Sequence, residues 1–382
     1  MSNNRASRCS TAWRANRRGD CWPRPTNTSE RGPDGEHRMQ PIRQLLSAVC
    51  LLACLSSGPA VATEFKIATV APEGSDWMRE MRAAARDIRA ATDGRVTVKF
   101  YTGGVMGNEK KVLRKIRIGQ LHGGAFTASG LYERYPDIVV YGLPLVFRNE
   151  DEVAYVRKHL DPLLEQGLQK AGFVSFGFAG GGFAMLMGNE RVTRFEQLRG
   201  RKAWIPEGDR LSYVAMEALN LSPVVLPITD VLTGLQTGLV EFIASPPVAA
   251  VVLQWHTKVH YLTDIPLAYT LGALVVDQRA FMRLSEADRQ AFAQRMRAAY
   301  ARIDAQARSD NASAMQALLA SGLQVVDLPP AEAERWRQAA RRANEALVQQ
   351  EVISRDIYQR LMDLLAAYRA GAAPAPATAG RQ

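Results

Sequence analysis

The histidines His256 and His260 in HTKVH stand four residues apart, a spacing that on a helix sets two imidazoles on one face and could begin a metal site. No acidic third ligand and no glutamate base lies between them, so they read as solvated side chains and no metal is expected. The run GRKAWIPEGD, Gly200 to Asp209, carries a different chemistry: a short apolar strand with Trp204 at its centre breaks at Pro206 and turns at Gly208 between Glu207 and Asp209. Carboxylates there either accept hydrogen bonds from a ligand's hydroxyl or ammonium group or serve the turn itself. Asp209 heads the helical stretch DRLSYVAMEALN and reads as its N-cap, whereas Glu207 stays open to both roles. Trp204 either fills a core or stacks on a planar solute, an apolar solute or a cation. The chain has no Gly-x-Ser-x-Gly elbow, no Walker loop and no Gly-x-Gly-x-x-Gly after a strand. The Gly180–Gly182 run precedes no helix and makes no phosphate cradle. Neither an enzyme nor a cofactor is expected.

The elements that must position these residues alternate. FKIATV, RVTVKFY and GGAFTAS read as strands, separated by SDWMREMRAAARDIRAAT, with a Ser75–Asp76 cap, and by NEKKVLRKIRIG, both helical. This is the pattern of an α/β domain with a largely parallel sheet, in which ligands sit at loops after strands. Such loops offer Ser75 and Trp77, then Phe126, Thr127 and Ser129, then Tyr141. GFVSFGFAGGGFAMLM predicts two extended pieces joined through the three glycines, which suit a hinge or a crossover. RKAWI, SPVVLP and VEFIAS are further strands, and YTLGALVVD follows as another extended stretch; DRLSYVAMEALN and TDVLTGLQTG are helices. A helix from Ser285 to about Ser321 contains neither Pro nor Gly, spans about 50 Å at 1.5 Å per residue, and is long enough to cross two domains. LQVVDL is a last strand, and a single helix is predicted from Pro330 to about Tyr368.

The chain of 382 residues has room for two cores. Residues 1–38 lack apolar periodicity and read as a disordered or spurious extension, and 369–382 as a disordered tail. Residues 39–62 read as a signal peptide: Arg43, an apolar run from Leu45 to Leu55, and the small-x-small site Ala60-Val61-Ala62. The rival reading is a lipobox at Leu51-Leu52-Ala53 with lipid on Cys54. All four cysteines, Cys9, Cys21, Cys50 and Cys54, precede Thr63, so a chain cut there carries no thiol. The formal charge of +10 loses nine Arg and four acids with residues 1–62, leaving +5 spread over amphipathic helices. That mild excess argues against nucleic acid as a partner.

FYTGGVMGNEKKVLRKIRIGQLHGG, YGLPLVFRNEDE, LRGRKAWIPEGD and LPITDVLTGLQTGLVE occur in an order that resembles the extracytoplasmic solute receptors of TRAP (tripartite ATP-independent periplasmic) transporters, the DctP-type family, over roughly residues 65–365. The resemblance implies a two-domain periplasmic binding protein fold with a hinge and a long helix bridging both domains. It implies domain I as 63–181 plus 271–311 and domain II as 182–270 plus 312–368. It also implies a receptor that closes on a small organic solute, an organic acid by family habit, and hands it to small and large membrane permease subunits. The alternative is a ligand-sensing partner of a membrane signalling receptor. In the family frame Lys-x-Arg-x-Pro the arginine clamps the ligand carboxylate; here the frame is Lys202-Ala203-Trp204-Ile205-Pro206. A second basic position falls at Phe183–Ala184, and the family's Gln-x-Asn-Pro loop aligns with Ile243-Ala244-Ser245-Pro246. Trp204, Ala184 and Ser245 thus stand where polar recognition groups are expected, and an indole offers one donor and no charge.

Overall fold

Strand and capped helix alternate from Thr63 onward in the computed structural model, which describes residues 62–371. The proposed extension at 1–38, nearly all of the signal peptide with Cys54, and the tail beyond Gly371 lie outside the described residues. β1 (Thr63–Ala68), α1 (Asp76–Ala91), β2 (Val96–Tyr101), α2 (Glu109–Arg117) and β3 (Gly123–Thr127) fall where the periodicity puts them. A short α3 (Ala128–Leu131), a 3-10 segment at Pro136–Gly142 and α4 (Glu150–Lys170) follow. Each strand-to-helix loop ends in a side chain that accepts a bond from the helix's first turn: Ser75 from the Met78 N–H, Asn108 from Lys111, Thr127 from Gly130.

The chain continues through β4 (Phe173–Ser175), β5 (Ala179–Gly188), β6 (Ala203–Pro206), α5 (Arg210–Ala218), β7 (Pro223–Leu226), α6 (Val231–Thr237), β8 (Phe242–Ser245) and α7 (Pro247–Val252). The last third is β9 (Tyr261–Asp277), α8 (Gln278–Met282), α9 (Glu286–Ala320), β10 (Gln324–Val326), α10 (Pro330–Gln349) and α11 (Arg355–Arg369). The sheet order is β2-β1-β3-β9-β5-β8-β6-β7, with β4 and β10 also on β9. Pairing is parallel at both ends, β2-β1-β3 and β8-β6-β7, but antiparallel through β3-β9-β5-β8. The expected largely parallel sheet is therefore two parallel wings joined by two long antiparallel strands that carry the chain from one wing to the other.

Two predictions are corrected here. The glycine run does not separate two pieces; β5 passes through it unbroken, with register shifts between Gly180 and Gly182 and between Ala184 and Leu186. A Cβ on Gly180 would come within 2.0 Å of the Tyr269 hydroxyl, and Gly182 has φ +90°, so close approach and a left-handed backbone both demand glycine. The C-terminal helix is two helices, because Glu351 turns left-handed at φ 54° and lets Val352 and Ile353 bury before Ser354 caps α11. The Asp137 carboxylate holds that corner, accepting from the Ser354 N–H and hydroxyl, each at 2.8 Å. His256 lies in a 3-10 turn and His260 beyond it; their Nδ1 atoms pair with Ala250 O and Asn189 Oδ1, so no common helix face presents them.

Each wing has its own core. Phe65, Ile67, Met78, Met81 and Ile88 pack with Phe292, Met296 and Tyr300 of α9 beneath the first wing. Met185, Met187, Trp204, Ile243 and Trp255 pack with Leu318 at the other end of α9 beneath the second. Full burial of such side chains stabilises by about 1.5–3 kcal/mol each, so the 35 residues of α9 are anchored at both ends and bridge the two cores. α11 packs on α4 through Ile357, Leu361 and Leu365 against Val153, Leu160 and Leu164.

Candidate ligand-binding cleft

The loops after β1, β3, β6 and β8 converge on one cavity of about 1400 Å³, roofed by the middle of α9. Of the residues singled out from sequence, Ser75, Trp77, Phe126, Thr127, Tyr141, Ala184, Trp204, Ser245 and Pro246 line it; Phe183 and Glu207 do not. Phe183 instead packs edge-on against Tyr269, ring centroids 5.3 Å apart. The Glu207 carboxylate accepts a hydrogen bond from Asn108 Nδ2, tying the loop before α5 to the start of α2. Glu207 thus ties one wing to the other and does not belong to the cavity lining.

Trp204 is both core and wall. It is 6% exposed, its ring meets Trp255 edge-on at 5.2 Å, and its Nε1–H donates to Leu226 O at 2.9 Å. The indole donor is occupied. The polar residues read as ligand contacts are similarly engaged. Ser75 caps α1 while its hydroxyl donates to Pro72 O at 2.8 Å, and the Ser245 hydroxyl, 1% exposed, donates to Pro246 O at 3.1 Å. The Tyr141 hydroxyl donates to Asp161 at 2.6 Å, and burial holds its pKa far above the usual phenol range. Thr127 donates to Glu109 at 2.9 Å and accepts from the Gly130 N–H. These loops line the cavity, but the hydroxyls belong to caps and turns, where the backbone donors and acceptors of each loop need them.

Glu109, in the first turn of α2, and Asp209, the cap of α5, both line the cavity. Glu109 Oε1 also accepts the Thr127 N–H at 2.5 Å. Burial pushes its carboxyl up to about 7, with the Asp209 carboxylate adding to the rise and the Thr127 donors opposing it. Asp209 accepts from the Ser212 N–H at 3.0 Å, the Ser212 hydroxyl at 2.7 Å, and Ser129; burial raises its carboxyl too. The chain of contacts Glu109, Thr127–Ser129, Asp209 joins the ends of β3 and β6 across the cavity. Its signal in sequence was each acid's place at a helix start facing a strand end.

The other charges are at the rim. Arg79 pairs with Asp76, and Arg302 with Glu80 at 2.9 Å. Arg157, beside the hinge strand, is bound by Asp161 at 2.9 Å and Asp304 at 2.6 Å and donates to Phe178 O. Asp304 also accepts the Gly180 N–H at 2.8 Å, and Asn311 Nδ2 donates to Gly181 O at 2.9 Å, so α9 holds the hinge from above. Among the described residues no cluster of His, Cys, Asp and Glu could hold a metal, and no helix is long and apolar enough to cross a membrane.

Comparison with known proteins gives this arrangement its context. A model of the DctP family, described as bacterial extracellular solute-binding protein, family 7, matches residues 67–351. A solute-binding protein of Verminephrobacter eiseniae (strain EF01-2) is 24% identical over 249 residues, 64% of this chain and 73% of its own. The C4-dicarboxylate-binding periplasmic protein DctP of Rhodobacter capsulatus is 26% identical over 161 residues, 41% of this chain and 47% of its own. Among solved structures, DctP7 of Bordetella pertussis, an extracytoplasmic solute receptor binding pyroglutamic acid, superposes with a TM-score of 0.73 at 21% identity, covering 80% of this chain and all of its own. DctPAm of Advenella mimigardefordensis strain DPN7T, a sugar acid binding protein in complex with galactonate, gives 0.74 at 18% identity, over 80% and 98%. At these identities the structures establish a common fold, two α/β domains about a hinge.

Proposed function

The chain belongs to the DctP family of bacterial extracellular solute-binding proteins, a family of receptors and not of enzymes, and we propose that it is the periplasmic receptor of a TRAP-type secondary transporter. The observation that carries this reading is the cavity itself, walled by both wings, with the long strands β5 and β9 passing from one wing to the other at the glycine run. In this reading 63–181 with 271–311 and 182–270 with 312–368 are the two bodies, although α11 packs on α4 of the first. A solute touching both walls favours the closed state, and the closed surface is what the small and large permease subunits recognise. The Asn108–Glu207 bond belongs to the closed state. Export would use residues 39–62 as a cleaved signal, with lipidation of Cys54 as the alternative anchor.

The solute is a small organic molecule, an organic acid by the precedent of relatives named for C4-dicarboxylate, pyroglutamic acid and galactonate. We propose that it is held without the arginine fork, because Trp204, Ala184 and Ser245 occupy the positions where the resemblance expects polar recognition groups. The test is a thermal-shift screen of the purified chain against acids, polyols, zwitterions and amines. A ligand should raise the midpoint in a concentration-dependent way, by about 2.7 kcal/mol of stabilisation at a hundredfold excess over Kd. Silence from every class would sink the receptor reading.

A further inference from the structure

We propose that the solute is a carboxylic acid with an extended hydrocarbon body, which runs from the cleft into an apolar arm of the cavity between α5, α10 and the strands β5 and β6. The inference rests on the receptor reading and adds the shape and polarity of the ligand's body.

The arm follows α5. Leu211, Ala215, Met216 and, just past its last turn, Leu219 all line the cavity, and their spacing sets them along one side of the helix. From Leu211 to Leu219 that side runs about 12 Å at 1.5 Å per residue. Across from it the lining continues through Leu186 of β5, Ala203 of β6 and, one turn apart on α10, Trp336 and Ala340. Leu186, Trp336, Ala203, Met216 and Leu219 belong to one apolar cluster, and Leu198 and Leu221 of the same cluster line the cavity as well. That cluster is wrapped around space, whereas a closed core leaves few voids larger than a water molecule. Trp204, Ile243 and Trp255 belong to a different cluster, on the other face of β6, because neighbouring side chains of a strand point to opposite faces.

The chemistry of the arm differs from that of the cleft. Asp209 and Ser212 stand at its mouth, the Ser212 hydroxyl donating to the carboxylate at 2.7 Å. Beyond them no charged side chain lines it among the described residues, and the Trp336 Nε1–H is taken by Glu332 Oε1 at 3.1 Å. A hydroxyl or a second carboxylate carried into the arm would lose its water and find no partner, a cost that a hydrocarbon does not bear. Apolar space of this kind stays dry and accepts apolar guests. The cavity's volume of about 1400 Å³ also exceeds the roughly 300–1,000 Å³ of ordinary small-molecule pockets. A four-carbon skeleton held in the cleft would leave the arm empty.

The donors left for a carboxylate lie outside the arm. Thr69, just after β1, is buried, and its hydroxyl accepts from the Ala71 N–H at 3.1 Å while keeping its own proton to give. Trp255 lines the cavity at 3% exposure, and its indole N–H meets no acceptor among the described residues. Each can donate to a carboxylate oxygen without supplying a charge. The head group therefore stays in the cleft and the hydrocarbon enters the arm.

The experiment is calorimetry on the purified full chain with butanoate, hexanoate, octanoate and decanoate, beside succinate and galactonate. Affinity should rise along the alkanoate series by up to about fourfold per methylene, the equivalent of about 0.8 kcal/mol for each buried CH₂, and succinate and galactonate should bind more weakly than decanoate. Ala340→Leu fills part of the arm, so decanoate should lose at least about tenfold relative to butanoate in that variant. Met216→Phe, at a half-buried position, serves if Ala340→Leu does not fold. Equal affinity along the series, or tight succinate or galactonate with weak decanoate, overturns the arm inference and leaves the receptor reading standing. So does a gain with chain length that both variants leave intact, since the hydrocarbon would then lie elsewhere. If no acid, polyol, zwitterion or amine binds, both fall.

Discussion

The two walls of the cleft are built differently. The first wing ends its strands in cap residues, Ser75, Asn108 and Thr127, whose polar atoms bind the helix that follows. The second presents packed strand side chains, Trp204, Ala184 and Ser245, each at most 6% exposed. The first wall's polar atoms are there because its loops must terminate helices, while in the second wall Trp204, Ala184 and Ser245 belong to packed strands beside the one cap residue Asp209. A solute between them meets the Glu109 carboxylate on the first wall and the Asp209 carboxylate with Trp204 on the second.

The strongest way to break this contrast is at Trp204. Trp204→Ala removes a buried indole and should destabilise the protein by about 3–5 kcal/mol, lowering the melting temperature as well as the affinity, so the two effects will not separate in that variant. Trp204→Phe keeps an aromatic face but loses the bond to Leu226 O, at about 1 kcal/mol; chemical denaturation with parallel titration should find affinity nearly retained. Equal loss of affinity in both variants would assign recognition to the indole N–H and contradict an aromatic wall.

A smaller, pH-dependent effect should come from the first wall. Glu109 has a folded-state pKa raised to about 7, so between its unfolded value near 4.5 and 7 the folded protein holds a proton that the unfolded chain has lost. Its contribution is therefore full below pH 4.5 and declines as pH rises through 7. Without ligand, Glu109→Gln should melt with the parent protein at pH 4.5 and above it at pH 8. A difference that is the same at both pH values would mean that Glu109 titrates normally.

The smallest effect is expected where the walls meet outside the cavity. Asn108→Ala removes the tie to Glu207 and also the α2 cap, whereas Glu207→Gln keeps a partner for Asn108. Only Asn108→Ala should shift the open–closed balance, by about 1 kcal/mol, read as a larger radius of gyration in solution scattering without ligand. Equal radii in the two variants would remove that bond from the closing device.

Much of the fold was legible because strands and caps are local. Ser75 and Asp209 announce helix starts within a few residues, and the unbroken run in α9 announces its length. The break at Glu351 was not legible, since no proline or glycine marks it; it exists because Val352 and Ile353 have a core to enter and Asp137 waits for Ser354. The antiparallel centre of the sheet was hidden for the same reason, because strand direction is decided by partners far along the chain.

The site divides likewise. Sequence alone pointed to the loops after strands and put Trp204 in the frame where the resemblance expects an arginine, because motif order and strand alternation are one-dimensional properties. Only the tertiary structure decided that the candidate hydroxyls are occupied, that Glu207 ties the wings from outside the cavity, and that Glu109 and Asp209 line the same space. A hydrogen-bond donor has one proton to give, and which acceptor receives it depends on distances that no spacing in the chain records.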